Sequence, residues 1–224
     1  MNRAESELAR GCYGYGRWKA TYWFIGPEQG QSASENNNLT LRHKAFRKLE
    51  KHGLCDCGAF HHAIHEERWH RVRPALQPTW RRLILLLMTF LEKKRDNESL
   101  RGYQRDRWGK RSGDTCVIEL SGLPARNQNV AREREAFREK RIELIRQKML
   151  ACKPVFVVMY GKGAMKYWKG IGSNRLSPGC AQKIGSTIFV VATHPVARGL
   201  GKKYWVKLGQ RMLRESRRRP AKCK

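Results

Sequence analysis

Two residues in this sequence have the type and setting for acid–base or electrostatic chemistry. Glu28 lies in "TYWFIGPEQG" (Thr21–Gly30), where five strand-forming residues stop at Gly26-Pro27 and a carboxylate follows between glycines. Glycine lets the backbone approach a ligand closely and tolerates positive φ. His194 opens "HPVARG", and the proline after it biases the histidine to an extended backbone, fixing the approach of the imidazole. Taken singly, the first reads as a solvated turn and the second as a structural or surface histidine. A carboxylate and an imidazole at two strand ends of one sheet edge can do more. The carboxylate can align a water or stabilise developing positive charge, while the imidazole donates toward developing negative charge.

Four apolar runs bounded by turn signals supply those strand ends: Thr21–Gly26, Thr115–Leu120, Pro154–Gly161 and Ser186–Pro195. They are continuous rather than alternating, as strands of a parallel sheet covered on both faces must be. Between them lie helical patterns at Leu39–Lys51, Thr79–Lys94, Val130–Leu150, Gly163–Gly170 and Lys203–Arg217. Pro78 and Thr79 serve as start signals for the second of these. Val130–Leu150 carries Phe137, Ile142, Ile145 and Met149 on one face. Strand alternating with helix predicts an α/β fold: three layers, α/β/α, around a central four-stranded parallel sheet. Ligands of such sheets bind beyond the carboxyl ends of the strands, in the loops "GPEQG", "SGLPARNQN", "GKGAMKYW" and "HPVARGLGKKYW".

The sequence of 224 residues fits one domain, with 40% hydrophobic residues and seven tryptophans to build a core. Lys and Arg number 47 against 19 Asp and Glu, a formal charge of +28 that is densest in the tail at about 214–224. Such a field recruits polyanions, nucleic acid before an anionic membrane surface, because no lipidation motif is present. No segment near the amino terminus has a signal peptide's apolar core, and "LILLLMTFL" (Leu83–Leu91) is about half a membrane span. Seven irregularly spaced cysteines point to reduced thiols and a cytoplasmic address.

Together the loops resemble the uracil-DNA glycosylase superfamily. Its members carry GQDPY, GEAPG or GINPG at the end of the first strand and an HPSP-like motif at the end of the last. "FIGPEQG" is similar to the first, with Gly26, Glu28 and Gly30 on its first, third and fifth positions. "HPVARG" resembles the second through His194 and Pro195, with Val196-Ala197 replacing the usual small-Pro pair. The stretch from "LPARNQN" to "PVFVVMYGKGA" is similar to the proline-containing loop, amphipathic helix and strand turn of the thermophile-type branch. The resemblance covers most of Thr21–Leu213 in order, with a variable insert at about 31–110. Two departures stand out. That branch holds an iron–sulfur cluster through cysteines that begin as a close pair, and Cys12 stands alone, so no cluster is expected. Pro27 precedes Glu28, and Gln29 takes the usual place of the proline.

The resemblance implies a uracil-DNA glycosylase-like fold over 1–224 and cleavage of an N-glycosidic bond in double-stranded DNA, after the nucleotide is flipped from the stack. Glu28 then holds the attacking water and steadies the oxocarbenium-like sugar, and His194 donates to the leaving base. Gly26, Pro27, Gln29, Gly30, Glu119 and Ser121 are expected to line the base pocket, with Asp56, Phe60 and His61 from the variable insert. Arg126, Asn127, Lys162, Arg198, Leu200, Lys202 and Lys203 are the expected DNA contacts, Arg198 or Leu200 acting as the wedge. The aromatics open to stacking on the base are Tyr22, Trp23, Phe46 and Phe60. In the strict uracil enzymes a tyrosine closes the first motif against C5 substituents, and Gly30 stands there instead. A bulky C5-modified cytosine of phage DNA, glucosylated hydroxymethylcytosine in type, therefore fits, with antiviral defence as the role. Uracil repair and a non-catalytic basic nucleic-acid-binding protein are the rival readings. No cofactor or metal is expected, and the protein is expected to act as a monomer. "CDCGAFHHAIH" offers Cys55, Cys57, His61, His62 and His65, but its spacings match no well-spaced zinc pattern, and the plain reading is a polar surface turn.

Overall fold

The four apolar runs become the strands β2 (Tyr22–Gly26), β4 (Thr115–Glu119), β5 (Phe156–Tyr160) and β7 (Thr187–Ala192) of a computed structural model. It describes residues 3–27, 39–124 and 135–218. In the order β4-β2-β5-β7 they are hydrogen-bonded neighbours and all parallel. Their pleat divides them between two apolar clusters. Phe24, Val117, Val158 and Val190 belong to one, and Trp23, Ile25, Ile118, Met159 and Val191 to the other. Both faces are therefore covered, which is why these strands carry no polar alternation.

The sheet is larger than four parallel strands. Among the described residues it is mixed and has seven, in the order β3-β1-β4-β2-β5-β7-β6. Strand β1 (Gly14–Tyr15) runs antiparallel to β4, and β3 (Leu54–Cys55) parallel to β1. At the other edge β6 (Ala181–Ile184) forms an antiparallel hairpin with β7. Two-residue strands carry no periodicity, and "AQKI" is half exposed, so none of the three has a sequence signature.

Helices lie on both faces. The first cluster is closed by α1 (Arg3–Gly11), α2 (Leu39–Leu49), α3 (Cys57–Ala63), α4 (Pro78–Phe90), α5 (Asn97–Asp106) and α8 (Lys202–Arg217). The second is closed by α6 (Glu135–Cys152) and α7 (Met165–Ile171). Helix α4 starts as the sequence suggests, with Pro78 in its first turn and Gln77 accepting from the Trp80 amide at 2.7 Å. It is buried from Leu83 to Phe90 and packs on α8. Gly209 permits that approach, since a Cβ there would sit 2.7 Å from the Leu86 carbonyl oxygen. Helix α8 runs on to Arg217, so the start of the expected basic tail is helical, and Arg217 pairs with Glu92 at 2.5 Å. Among the described residues no helix is long and apolar enough to cross a membrane.

Helix α6 departs from its reading as a simple amphipathic helix. Ile145 and Met149 are buried as expected, yet Arg141, one turn before Ile145, is also buried, with 1% of its surface exposed. Its guanidinium lies over the Tyr13 ring at 4.1 Å. It donates to the carbonyls of Ala9 (3.0 Å), Arg10 (3.3 Å), Cys12 (2.9 Å) and Glu119 (2.6 Å). Ala9 and Arg10 lie in the last turn of α1 and Cys12 just beyond it, where the helix dipole is negative. One side chain thus ties α6 to α1 and to the carboxyl end of β4. Arg141→Met strips several buried carbonyls of their donor, at about 1–3 kcal/mol for each group left unsatisfied. We expect a loss of at least about 3 kcal/mol in urea denaturation, with Arg141→Lys recovering only part because an ammonium has no fork.

Candidate active site

The carboxyl ends of the four parallel strands bring Gly26, Glu119, Tyr160 and His194 together. Gly26 is in register with Glu119, and the Leu120 amide donates to the Gly26 carbonyl at 2.9 Å. Tyr160, the last residue of β5, is in register with Ala192, two residues before His194. Its hydroxyl lies beside the Glu119 carboxylate, which acts on it electrostatically. The His194 ring meets the Tyr160 ring edge-on, centroids 5.7 Å apart. Gly26 is required here: a Cβ would strike the Tyr160 hydroxyl and lie 2.7 Å from Glu119 Oε2.

The loops are held from behind. Gly161, at φ 96° where glycine is favoured, donates its amide to Ala192 O at 3.0 Å and accepts from Trp168 Nε1 at 2.8 Å. Pro27 packs beside it. The Thr193 amide donates to the Tyr204 hydroxyl at 3.1 Å, which anchors the strand end next to His194 from helix α8. Ser121 is buried, and its hydroxyl accepts from the Leu123 amide at 3.2 Å, shaping the turn after β4.

Burial sets the protonation states. Desolvation, then the charge and hydrogen bond of Glu119, push the Tyr160 hydroxyl well above its ordinary range, so it remains a donor. Desolvation lowers the half-buried His194, which keeps it neutral at pH 7. Lys162, Arg198, Lys202 and Lys203 are exposed on the loops that follow β5 and β7, with Leu200 half-buried among them. Lys202 and Lys203 open α8, where backbone amides and the helix dipole also favour an anion.

Of the expected site residues, Glu28, Gln29, Gly30, Arg126 and Asn127 lie outside the described residues. Asp56, Phe60 and His61 are described, and they are not at this cluster. Because β3 runs antiparallel to β4, its carboxyl end points toward the amino ends of the parallel strands. Asp56 there caps α3, accepting from the Gly58 and Ala59 amides, and also accepts from the Arg111 amide. Phe60 is core, 2% exposed against Tyr15, and His61 is buried beside it. Trp23 and Phe46 are core as well, and Tyr22 stacks on Phe156 at the opposite end of β2. The aromatic at the site is Tyr160, which the sequence reading passed over. Its signal was present in "VVMYG", a hydroxyl-bearing ring closing an apolar strand before a glycine.

No protein-family model matches the chain, and no curated protein is similar to it at a significant level.

The His194 imidazole should titrate by NMR with a midpoint below 6.5, the ordinary histidine value. A depressed folded-state value means that protonation opposes folding. Its contribution to stability is therefore intact above about pH 6.5 and is lost as the pH falls toward the folded-state midpoint.

Proposed function

We propose that this protein is a monofunctional DNA N-glycosylase that flips out and excises a modified base, a bulky C5-modified cytosine of the glucosylated hydroxymethylcytosine type, leaving an abasic site. The observation that carries this reading is the carboxylate–phenol–imidazole group of Glu119, Tyr160 and His194 at the ends of β4, β5 and β7, with Gly26 of β2 between the first two, beside a lysine- and arginine-bearing rim. The rim suits the phosphates of a duplex, and the crevice beyond parallel strand ends suits a flipped nucleotide.

The roles follow from charge. As the C1′–N bond breaks, its electron pair leaves with the base and the sugar becomes oxocarbenium-like. A neutral imidazole at His194 donates a hydrogen bond to the base as it gains negative charge. Glu28, two residues after Gly26 in the sequence, aligns the water that adds to C1′ and takes its proton. Glu119 supports cytosine over uracil. A carboxylate accepts from the exocyclic amine of cytosine, whereas uracil would present O4, an acceptor facing an acceptor.

The test uses duplexes carrying uracil, plain cytosine or glucosylated hydroxymethylcytosine, followed by cleavage of abasic sites. Strand scission is expected for the modified duplex. Glu28→Ala and His194→Ala are each expected to lower its rate about 100-fold or more. Glu119→Gln should shift the cytosine-to-uracil preference by about fivefold or more toward uracil. Scission of the uracil duplex alone would replace this reading with uracil repair. No scission of any duplex, with salt-dependent binding retained, would leave a non-catalytic nucleic-acid-binding protein.

A further inference from the structure

Helix α3 carries Cys57 and His61 one turn apart on one face, and the chain returns after a 3-10 turn (Glu67–Trp69) to place His70 against both. The three side chains present one donor atom each to a common point. Cys57 Sγ lies 3.5 Å from His61 Nδ1 and 3.7 Å from His70 Nε2, and the two nitrogens are 3.3 Å apart. A tetrahedral zinc ion with bonds of about 2.3 Å to sulfur and about 2.05 Å to nitrogen has ligand–ligand edges of about 3.6 Å for S to N and about 3.3 Å for N to N. The three observed edges fall on those values. We propose that Cys57, His61 and His70 form a zinc-binding site, completed at its fourth position by water.

The surroundings fit a metal better than a set of mutual hydrogen bonds. Contacts of 3.5 and 3.7 Å to a thiol are weak, and two imidazole nitrogens 3.3 Å apart are poor partners for each other. The cluster is enclosed by Trp80, whose ring centroid lies 5.3 Å from His61 and 5.8 Å from His70, and by Tyr15, 5.3 Å from His61. Of the three, His61 alone has a short hydrogen bond, and a thiol and an imidazole sequestered there with only long contacts are costly.

The outer nitrogen of His61 faces a carboxylate. Its Nε2 is 3.8 Å from Glu66 Oε2, and Glu66 is in turn held by Arg42 at 3.0 Å. At that distance the carboxylate acts on the imidazole as a nearby charge, which favours the Nε2–H tautomer that a ligand bonded through Nδ1 requires. Without metal, His61 Nδ1 donates to the Cys57 carbonyl at 2.7 Å. Binding moves that proton to Nε2, facing Glu66, and releases the Nδ1 lone pair, while the thiol proton is lost to solvent. Lys110 sits near the cluster, with Asp56 at 3.7 Å to balance its charge. The ligand set differs from the spacing that the sequence offered. Cys55 and His65 do not converge here, and the exposed His62 pairs with Glu67 at 3.2 Å. The site lies away from the strand-end cluster, so its role is to pin α3 to the segment that follows, and it holds whether or not the protein is a glycosylase.

The full-length protein, stripped with a chelator under reducing conditions, is titrated with zinc and in parallel with cobalt(II). We expect one equivalent of zinc bound per chain, a rise in Tm with zinc, and a tetrahedral cobalt spectrum with thiolate-to-metal absorption. Cys57→Ser should abolish the thiolate band, and His70→Ala should weaken metal binding at least 10-fold, while Cys180→Ser and His65→Gln, outside the cluster, change neither. Should Cys57→Ser fail to fold, His70→Gln and the wild-type cobalt spectrum decide the matter. Substoichiometric zinc with no thiolate band in the folded wild-type protein would overturn the site, as would a band that survives both Cys57→Ser and His70→Ala.

Discussion

A buried guanidinium bonded to backbone carbonyls organises this molecule. Arg141 puts a full positive charge into the interior of a chain that already carries +28. It is tolerated because carbonyl dipoles surround it, from Ala9 and Arg10 in the last turn of α1, from Cys12 just beyond it and from Glu119, with the face of Tyr13 alongside and the Glu119 charge near enough to favour it. Fork geometry is essential, since only a guanidinium can serve several carbonyls set at fixed angles. The same bonds join a helix of one layer to a helix end of the other and to the last residue of β4. The backbone of Glu119 is therefore set by long-range packing and not by its own loop.

That constraint propagates into the strand-end crevice. Glu119 is buried at the strand ends beside the Tyr160 hydroxyl, in space that Gly26 leaves. Tyr160 in turn gives His194 an aromatic edge to rest on, and Tyr204 on α8 holds the strand end from the outside. Polar groups placed this way have exchanged water for fixed dipoles of the protein.

The parallel centre of the sheet was legible because each of its strands is buried on both faces, and a continuous apolar run is the direct result. Strands β1 and β3 were not, since two residues have no period, and their antiparallel direction is fixed by pairing partners far along the chain. The misplacement of Asp56, Phe60 and His61 has the same origin: their identity is local, but the end of the sheet they occupy depends on that direction. Gly26 and His194 could be placed from glycine, proline and strand-end signals alone. Tyr160 escaped because its role depends on Glu119, a residue far from it in sequence. Arg141 escaped because a charge on a helix reads as solvated unless its carbonyl partners are known.

The two edges of the sheet carry a last consequence. One ends in β3, only two residues long, and the other in β6, which shows Lys183 and Ile184 to solvent and turns back at once through Gly185. A foreign strand gains few ladder bonds at the first edge and meets a lysine on a short hairpin at the second. Association by strand addition is therefore disfavoured, both for partners and for aggregation. Contacts of this fold with other macromolecules are left to its side-chain surface, which is densely basic, rather than to its backbone edges.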